Sequence, residues 1–336
     1  MYDSLPADRR EIARAAFSAT FGSASVTALQ PVRGGATAAV IYRVDVAGRP
    51  YLLRLEPPHD NKADRRRAYV CLQAAAEAGV APPLHHADPV AGVAIMDFIV
   101  AHPLADYPGG PARRAHDLGQ LLARLQATPA FPPRTANHLV VLAGWLDRLL
   151  TSGRFAAGLL DRHREGFERI RAAYVWDEEK LVSSHNDLHP DNILFDGKRP
   201  WLIDWDTACR NDPLVDVAIV ANYQAASPER EDVLVRAWLG HAPNRLLRAR
   251  LLLMRQLGRL FYACASSLTG TTRPAVPDGD LTALTPAEFL AAVAAGRIVL
   301  GTPQAQRLGG KVALRTFLEG LATPQFEEAL VISRAG

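Results

Sequence analysis

Cysteine and long apolar segments are scarce in this sequence of 336 residues. The three cysteines, Cys71, Cys209 and Cys264, are far apart and form no CxxC pair, which argues against a disulfide scaffold or a zinc knuckle and fits a reducing compartment. No apolar run approaches the ~20 residues that span a membrane, and the first residues carry charges where a secretion signal needs an apolar core. These absences predict a cytoplasmic protein without a membrane partner.

A surplus of one charge is also missing. Lys and Arg together number 38 and Asp and Glu 35, so the formal net charge is +3. The longest basic cluster, 65–67, follows Asp64 on a predicted helix, where we interpret it as a solvated face. With 49% hydrophobic and 22% charged residues, the composition is that of an ordinary globular protein. We therefore expect neither a nucleic-acid partner nor an obligate protein partner.

The first hundred residues show the pattern of a small antiparallel sheet. A helix is predicted from Pro6 to about Phe21, and three β-like runs follow at 26–32, 38–46 and 50–55, with Gly34-Gly35 and Gly48 at the turns. A helix over about 62–78 and a buried strand within 92–100 complete this part.

Beyond residue 101 the pattern becomes mostly helical. Leu118, Leu121, Leu122 and Leu125 have the spacing of one apolar helix face. Four later helices begin with Ser or Thr followed by Pro, a typical helix start: Ser227-Pro228, Thr285-Pro286, Thr302-Pro303 and Thr323-Pro324. The fold class predicted is α+β, with a small antiparallel-sheet lobe at 1–101 and a larger, mostly helical lobe at 102–336.

A polar loop and a hairpin interrupt the helical part at 181–206. The loop contains His185, Asp187 and Asn192, and the hairpin turns around Asp196-Gly197. If the turn centres on residue 198, Asn192 lies opposite Asp204, and a one-residue slip still leaves both within reach of one ion. An amide oxygen and a carboxylate are hard ligands of the kind that suit Mg²⁺ bound together with a nucleotide.

Asp187 precedes Asn192 by five residues, on the loop that leads to the first strand of the hairpin. A carboxylate beside two magnesium ligands can accept the proton of a hydroxyl and orient it for attack on a phosphorus atom. The spacing H-x-D-x-x-x-x-N, followed by an Asp after the next strand, is that of a kinase catalytic loop. The residues therefore predict phosphoryl transfer.

The run SHNDLHPDNILFDGKRPWLIDWD resembles the signature of the choline/ethanolamine kinase and aminoglycoside phosphotransferase superfamily, small-molecule kinases with a protein-kinase-like fold. Three further segments resemble the same family: LQPVRGGATAAVIYRVDVAGRPYLLRLE, GVAPPL with VAIMDFI, and NDPLVDVAIVANY. The details YLLRL, DWD and AWLG favour the choline-kinase branch. The resemblance implies a two-lobed fold and the cofactors ATP and Mg²⁺.

The resemblance also implies roles for individual residues. It makes Asp187 the catalytic base with His185 beside it, and Asn192 and Asp204 the magnesium ligands. The nucleotide would be bound by the following residues: Gly34, Gly35 and Thr37 over the phosphates, Arg54 on the third strand, and Met96, Asp97 and Phe98 at the adenine. Asp206 is expected to assist the metal or to face a cationic substrate.

Two departures from the family pattern concern the phosphate-binding cation. Only four lysines occur in the chain and none lies on the third strand, where Arg54 takes the place of the usual lysine. An arginine can bind phosphate oxygens through two nitrogens. The helix glutamate that would orient it falls at Ala68, and the nearby carboxylates Glu56, Asp64 and Glu77 are not in that register.

The predicted activity is ATP- and magnesium-dependent phosphorylation of a hydroxyl of a small molecule, with an amino alcohol such as choline or ethanolamine as the first choice and an aminoglycoside or sugar as the second. Five groups are candidates to contact a cationic substrate: Asp206, Trp205, Tyr223, Phe261 and Tyr262. Aromatic residues at helical spacing also suit a core. Outside this class, His185 and His189 with the loop carboxylates suggest a metal-dependent hydrolase, and the missing helix glutamate suggests an inactive nucleotide-binding protein.

Overall fold

The computed structural model describes residues 4–23, 25–32, 39–57, 61–134, 136–269, 274 and 276–335. The chain divides into two units. The first comprises Met1–Pro133, Val182–Asp216 and Tyr223–Gly240, and the second comprises Arg134–Leu181, Val217–Asn222 and His241–Gly336. The predicted lobe boundary at residues 101 and 102 stays a prediction.

The first unit begins with helix α1 (Arg10–Phe21) and a five-stranded antiparallel sheet. The strands are β1 (Val26–Pro31), β2 (Val40–Val46), β3 (Arg49–Leu55), β4 (Leu84–Asp88) and β5 (Val93–Asp97), in the order β1-β2-β3-β5-β4. Alternate residues of β2 and β3 are buried and form a core with Phe17 of α1. This pattern confirms the predicted small sheet.

Helix α2 (Lys62–Glu77) follows β3 and begins at Asn61, whose side chain accepts a hydrogen bond from the Ala63 N–H. Strand β4 was not predicted, because its sequence LHHAD is short and polar and follows two prolines. It lies at the edge of the sheet beside β5, where only one neighbour specifies it.

The interpretation of 65–67 as a solvated helix face is wrong for two of its three arginines. The Arg65 residue is only 5% exposed, and the Arg67 side chain is 9% exposed. Arg66 alone is exposed. Arg65 and Arg67 therefore lie on the interior side of α2. Arginine can do so because it buries its apolar stem and donates to backbone carbonyls.

The remaining elements of the first unit surround the predicted catalytic segment. Helices α3 (Gly110–Gln126) and α7 (Pro228–Leu239) pack together at Gly119, where a Cβ would lie 2.4 Å from the Leu234 carbonyl oxygen. Two short antiparallel pairs follow. The first joins β6 (Val182–Ser184) to β9 (Cys209–Asn211), and the second joins β7 (Ile193–Phe195) to β8 (Pro200–Leu202).

The second unit consists of helices. They are α4 (His138–Thr151), α5 (Asp161–Ala173), α8 (Arg245–Leu268), α9 (Pro286–Ala294), α10 (Pro303–Leu321) and α11 (Pro324–Ala335). Helices α4, α10 and α11 pack against α8. Helix α6 (Leu214–Gln224) contributes residues to both units.

The four predicted helix starts are confirmed, since the hydroxyls of Ser227, Thr285, Thr302 and Thr323 each accept an N–H of the first turn. Across the described ranges, no helix is long and apolar enough to cross a membrane.

Candidate active site

The loop at 184–192 is fixed from beneath by one buried carboxylate, Asp216 of α6. Its Oδ2 accepts the His185 N–H at 2.7 Å and the Ser184 hydroxyl at 2.9 Å, and its Oδ1 accepts the Asn186 N–H at 2.8 Å. Burial raises the pKa of Asp216, while its pairing with His185 and these donors oppose the shift. Asp216 therefore braces the loop, and the nearby Asp212 accepts the Leu214 N–H at the start of α6.

His185 is fully buried and faces the protein interior. Its Nε2 lies 2.8 Å from the Ile203 carbonyl oxygen, which can only accept, so Nε2 carries the proton. The ring also packs against Trp205, with centroids 4.6 Å apart. His185 thus ties the loop to Ile203, the residue just before Asp204. Because the ring is buried, it can position the loop but is not exposed to a substrate.

Asn186 holds the turn between His185 and Asp187 in an uncommon backbone conformation, with φ of 70°. Its Nδ2 donates to the Thr207 carbonyl at 3.0 Å, and its Oδ1 accepts from the Asn211 Nδ2 at 2.6 Å. A short polar side chain tolerates positive φ and can bond locally. The sequence analysis did not single out Asn186, although it lies between two predicted site residues.

Asp187 and Asn192 are joined directly. The Asn192 Nδ2 donates to the Asp187 carbonyl oxygen at 2.8 Å and lies 3.3 Å from Asp187 Oδ2. Because the nitrogen end of the amide faces Asp187, the oxygen end is the one that can ligate a cation. The same carboxylate oxygen, Asp187 Oδ2, lies 3.7 Å from His189 Nε2.

The hairpin has the slipped register that the sequence analysis left open. Ile193 pairs with Leu202, and the Ile203 N–H donates to the Asn192 carbonyl at 3.0 Å. Asn192 therefore lies opposite residue 203, and the expected direct pairing with Asp204 is wrong by one residue. The Asp196 carboxylate sets the turn by accepting the N–H groups of Lys198 and Arg199, each at 2.8 Å.

Asp204 combines backbone strain with an unbonded carboxylate oxygen. Its φ is 63°, a conformation that costs an ordinary residue free energy and is found at functional sites. Its Oδ1 is buried and has no hydrogen-bond partner, although the Arg54 Nη1 lies 3.5 Å away. An oxygen ligand of this kind, one residue beyond the position opposite Asn192, fits a hard cation such as Mg²⁺.

Arg54 lies among three carboxylates, and we call Arg54, Glu56, Asp204 and Asp206 the Arg54 cluster. The Nε donates to Glu56 Oε1 at 2.5 Å, and the Nη2 contacts both oxygens of Asp206 at 2.7 Å. Burial alone would lower the pKa of Arg54, but Asp206, Glu56 and Asp204 outweigh it and raise the pKa. One positive and three negative charges leave the cluster at a formal charge of −2.

Of the three nearby carboxylates named from the sequence, Glu56 is the one that contacts Arg54. It lies two residues further along the same chain segment, so both side chains point to the same side. Ala68 of α2 is buried and offers no carboxylate. The helix position is therefore empty as expected, and the carboxylate that contacts Arg54 comes from the residue after β3.

The predicted nucleotide contacts are described in part. Gly34, Gly35 and Thr37 lie outside the described residues. At the end of β5, the Asp97 N–H donates to the Pro83 carbonyl at 2.9 Å and the Phe98 N–H to the Pro50 carbonyl at 3.4 Å. These two N–H groups already have partners within the protein. Met96, Asp97 and Phe98 stay predicted adenine contacts.

The aromatic residues predicted to contact substrate differ in exposure. Trp205 is only 4% exposed and packs against Phe131 and His185. Tyr223 is 44% exposed; burial of its hydroxyl raises its pKa, and the charges of Asp187 and Asp191 raise the pKa further. Of the predicted aromatic residues in the first unit, Tyr223 is the one with exposed surface.

In the second unit, Phe261 contacts Trp145 and Tyr262, at centroid distances of 6.1 and 5.7 Å. Phe261 and Tyr262 thus belong to an aromatic cluster, and their contact with substrate stays a prediction.

The hydrolase alternative required a cluster of histidines and carboxylates around one ion. Within the part of the chain that the structure describes, no three His, Cys, Asp or Glu side chains converge in this way. His185 is committed to a backbone carbonyl and His189 lies 3.7 Å from two different aspartates. The arrangement does not support that alternative.

Comparison with known proteins identifies the family. The sequence profile of the phosphotransferase enzyme family matches residues 28–252. The chain belongs to this family. Among curated relatives of this phosphotransferase, the chain is 39% identical to Protein LicA of Haemophilus influenzae over 73 residues, which are 20% of this chain and 27% of that protein. The match thus spans about a quarter of the relative's length.

Comparison with solved structures shows that this chain has the protein-kinase-like fold. A choline/ethanolamine kinase family protein from Mesorhizobium loti superposes with a TM-score of 0.66 at 23% identity, covering 97% of this chain and 99% of that one. A spectinomycin phosphotransferase, solved with ADP and its substrate, superposes with a TM-score of 0.58 at 13% identity, covering 97% of each chain. At these identities the likeness concerns the fold.

Arg67 is a further residue of this phosphotransferase that the sequence analysis missed. Its guanidinium donates to the carbonyl of Asp206 at 3.0 Å and also to the carbonyl of Ala208. The helix α2 thereby holds the backbone that follows Asp204. The signal was present as the arginine run, but nothing in the sequence shows which member of a run is buried.

Proposed function

We propose that this phosphotransferase moves the γ-phosphate of ATP, in the presence of Mg²⁺, to a hydroxyl of a small molecule, and that the acceptor is an amino alcohol such as choline or ethanolamine. The observation that carries the proposal is the pairing of Asp187 with Asn192 on a rigid loop, together with a negatively charged cluster that contains the unbonded oxygen of Asp204.

Asp187 acts as the base in this proposal. Its carboxylate accepts the proton of the acceptor hydroxyl while that oxygen attacks the phosphorus atom, and the leaving oxygen departs with ADP. Asn192 orients the Asp187 carboxylate through its amide N–H, and Asp216 keeps the loop backbone in place through His185 and Asn186. His185 serves as a positioning residue.

Asn192 and Asp204 are the residues that would hold the magnesium ion, which supplies charge neutralisation at the phosphates. The negative charge of the Arg54 cluster supports a divalent cation there, because Arg54 is the one cation among its four members and is ion-paired to three carboxylates. Arg54 retains a role at the phosphates, since its guanidinium presents paired donors to oxygen acceptors.

The amino-alcohol acceptor is supported by Tyr223 with Asp191. The tyrosine is partly exposed and shares its surroundings with Asp187 and Asp191, so a cationic head group finds a ring face and negative charge beside the base. The similarity to a choline/ethanolamine kinase family protein agrees with this choice. Amino sugars, which also carry cationic groups, are the second class to examine.

The test is thermal unfolding with ATP, with and without Mg²⁺, for the wild type and for Asp204→Ala. At about 100 times the dissociation constant, a ligand of the native state stabilises by about 2.7 kcal/mol. We expect a magnesium-dependent shift in the wild type and its loss in Asp204→Ala. The absence of any shift at millimolar ATP in the wild type would contradict the nucleotide site.

The acceptor is then identified by ADP release with choline, ethanolamine, an aminoglycoside and a neutral sugar. Turnover with choline or ethanolamine at the lowest KM is the expected result. A preference for the aminoglycoside or the sugar would move the enzyme to the other branch of the family while leaving the phosphotransfer assignment intact.

A further inference from the structure

We infer that Glu56 is the positioning residue for Arg54, and that it holds the guanidinium from the end of strand β3, since the contacts of both carboxylates of helix α2 are to other residues. The inference deepens the proposed function and rests on it, because it concerns how the phosphate-binding cation is kept in place.

The contact between the two residues is short and shielded from water. The Arg54 Nε donates to Glu56 Oε1 at 2.5 Å, and the two side chains are 10% and 7% exposed. Asp206, the other close partner, has a side chain that is 51% exposed. Water screens the exposed pair more strongly than the shielded one, so the Glu56 contact is the more constraining of the two.

The backbone around Glu56 leaves its side chain little freedom. The Glu56 N–H donates to the Gly92 carbonyl at 2.9 Å, just before β5 begins. A Cβ at Gly92 would lie 3.0 Å from the Glu56 Cβ and 2.8 Å from a nitrogen of Arg65, so only glycine leaves room for these side chains. Gly92 also has a φ of 68°, which glycine adopts without strain.

Helix α2 uses its own buried charges elsewhere. Arg65 donates to the Pro57 carbonyl at 2.8 Å, and Arg67 donates to the carbonyls of Asp206 and Ala208. The two carboxylates of the helix, Asp64 and Glu77, are exposed and contact Arg67 or Gln73. The helix therefore fixes backbone segments on both sides of the cluster, and Glu56 is the carboxylate left to orient the Arg54 Nε.

The two acidic partners of Arg54 consequently have different tasks. Asp206 faces solvent beside Asp204, where an incoming cation would compete with Arg54 for Asp206 and an incoming phosphate would compete with Asp206 for Arg54. Glu56 lies on the shielded side and keeps its contact while that exchange takes place. With Nε held, Nη1 and Nη2 stay directed toward the Asp204 side, where phosphate oxygens would meet them.

The experiment measures Mg²⁺·ATP affinity by calorimetry and the steady-state constants, for the wild type, Glu56→Gln, Arg54→Ala and the double variant. We expect Glu56→Gln to weaken ATP binding by about 10- to 100-fold, the effect typical of outer-shell residues, with the KM for the acceptor unchanged. In the Arg54→Ala background, Glu56→Gln should change ATP affinity less than twofold, because its effect passes through Arg54.

Two further variants serve as controls for the effect of Glu56→Gln. Glu77→Gln makes the same chemical change on an exposed residue of α2 and should retain wild-type affinity. Glu56→Asp keeps the charge but shortens the reach, so it should also weaken ATP binding, and it replaces Glu56→Gln if that protein does not fold.

The outcomes separate the two claims. If the wild type binds no Mg²⁺·ATP, the proposed function fails and the inference fails with it. If the wild type binds and both Glu56 variants bind equally well, or if the loss from Glu56→Gln persists in full without Arg54, the inference alone is wrong.

Discussion

The loop at 184–192 and the Arg54 cluster differ in how their carboxylates are satisfied. In the loop, the Asp216 carboxylate meets three donors and the Asn186 side chain is bonded at both its oxygen and its nitrogen, although the His185 Nδ1 is buried without a hydrogen bond. In the cluster, three carboxylates share one arginine, and Asp204 Oδ1 is buried without a hydrogen bond.

This difference separates two parts of the site. In the loop, folding itself supplies partners to the buried carboxylate, whereas in the cluster we propose that a bound ligand supplies the missing partner. Satisfied buried polar groups rigidify a structure, whereas an unsatisfied one costs free energy until a partner arrives. The loop is therefore a fixed platform for Asp187. In the proposed function, a cation neutralises the surplus negative charge of the cluster.

The largest effect is expected from Asp187→Asn, which removes the base but leaves the platform intact. Turnover should fall by about 10²- to 10⁴-fold, because an amide cannot accept the hydroxyl proton. The unfolding temperature should stay close to that of the wild type, since the Asp187 carbonyl still accepts the Asn192 amide. Steady-state kinetics and a thermal melt check both parts, with the exposed Asp161→Asn as control. Retained turnover would remove Asp187 from the role of base.

A smaller effect, on the stability of the folded protein, is expected from Asp216→Asn. The amide offers one acceptor where the carboxylate offered two, and it turns a donor toward the buried N–H groups of His185 and Asn186. We expect a loss of about 1 to 3 kcal/mol in the free energy of unfolding, measured with urea. Asp161→Asn at the exposed start of α5 should change it by less than about 0.5 kcal/mol. Equal effects of the two variants would show that the loop is not held by Asp216.

The smallest effect concerns pH and the cluster. Burial and the charge of Asp204 raise the pKa of Asp206, against the opposing effect of Arg54. A folded state with the higher pKa binds more protons than the unfolded state, so this group's contribution to stability decreases as pH rises through that interval. Without Mg²⁺, the wild type should lose more stability, or gain less, between pH 4 and 7 than Asp206→Asn does.

The measurement for this prediction is urea unfolding across that pH range, and the effect is small because Asp206 is half exposed. Adding Mg²⁺ should reduce the difference between the two proteins. An identical pH slope in both would indicate that the pKa of Asp206 is not raised in the folded state.

Local patterns in the sequence predicted the parts of the fold that local chemistry decides. The sheet at the beginning of the chain, the four Ser or Thr helix starts and the Asp196-Gly197 hairpin were all predicted, because alternation, capping and turn residues act over a few positions. The edge strand β4 and the pair β6-β9 were missed, since each is short and is specified by distant partners.

The chemistry of the site divides in the same way. By itself, the sequence determined that an aspartate, an asparagine five residues later and an aspartate after the next strand occur at kinase spacing, because one continuous segment carries all three. Only the tertiary structure decided that Glu56 holds Arg54, that Arg67 is buried and that His185 faces inward. These facts depend on which side chains lose their water, and burial is settled by segments far apart in the chain.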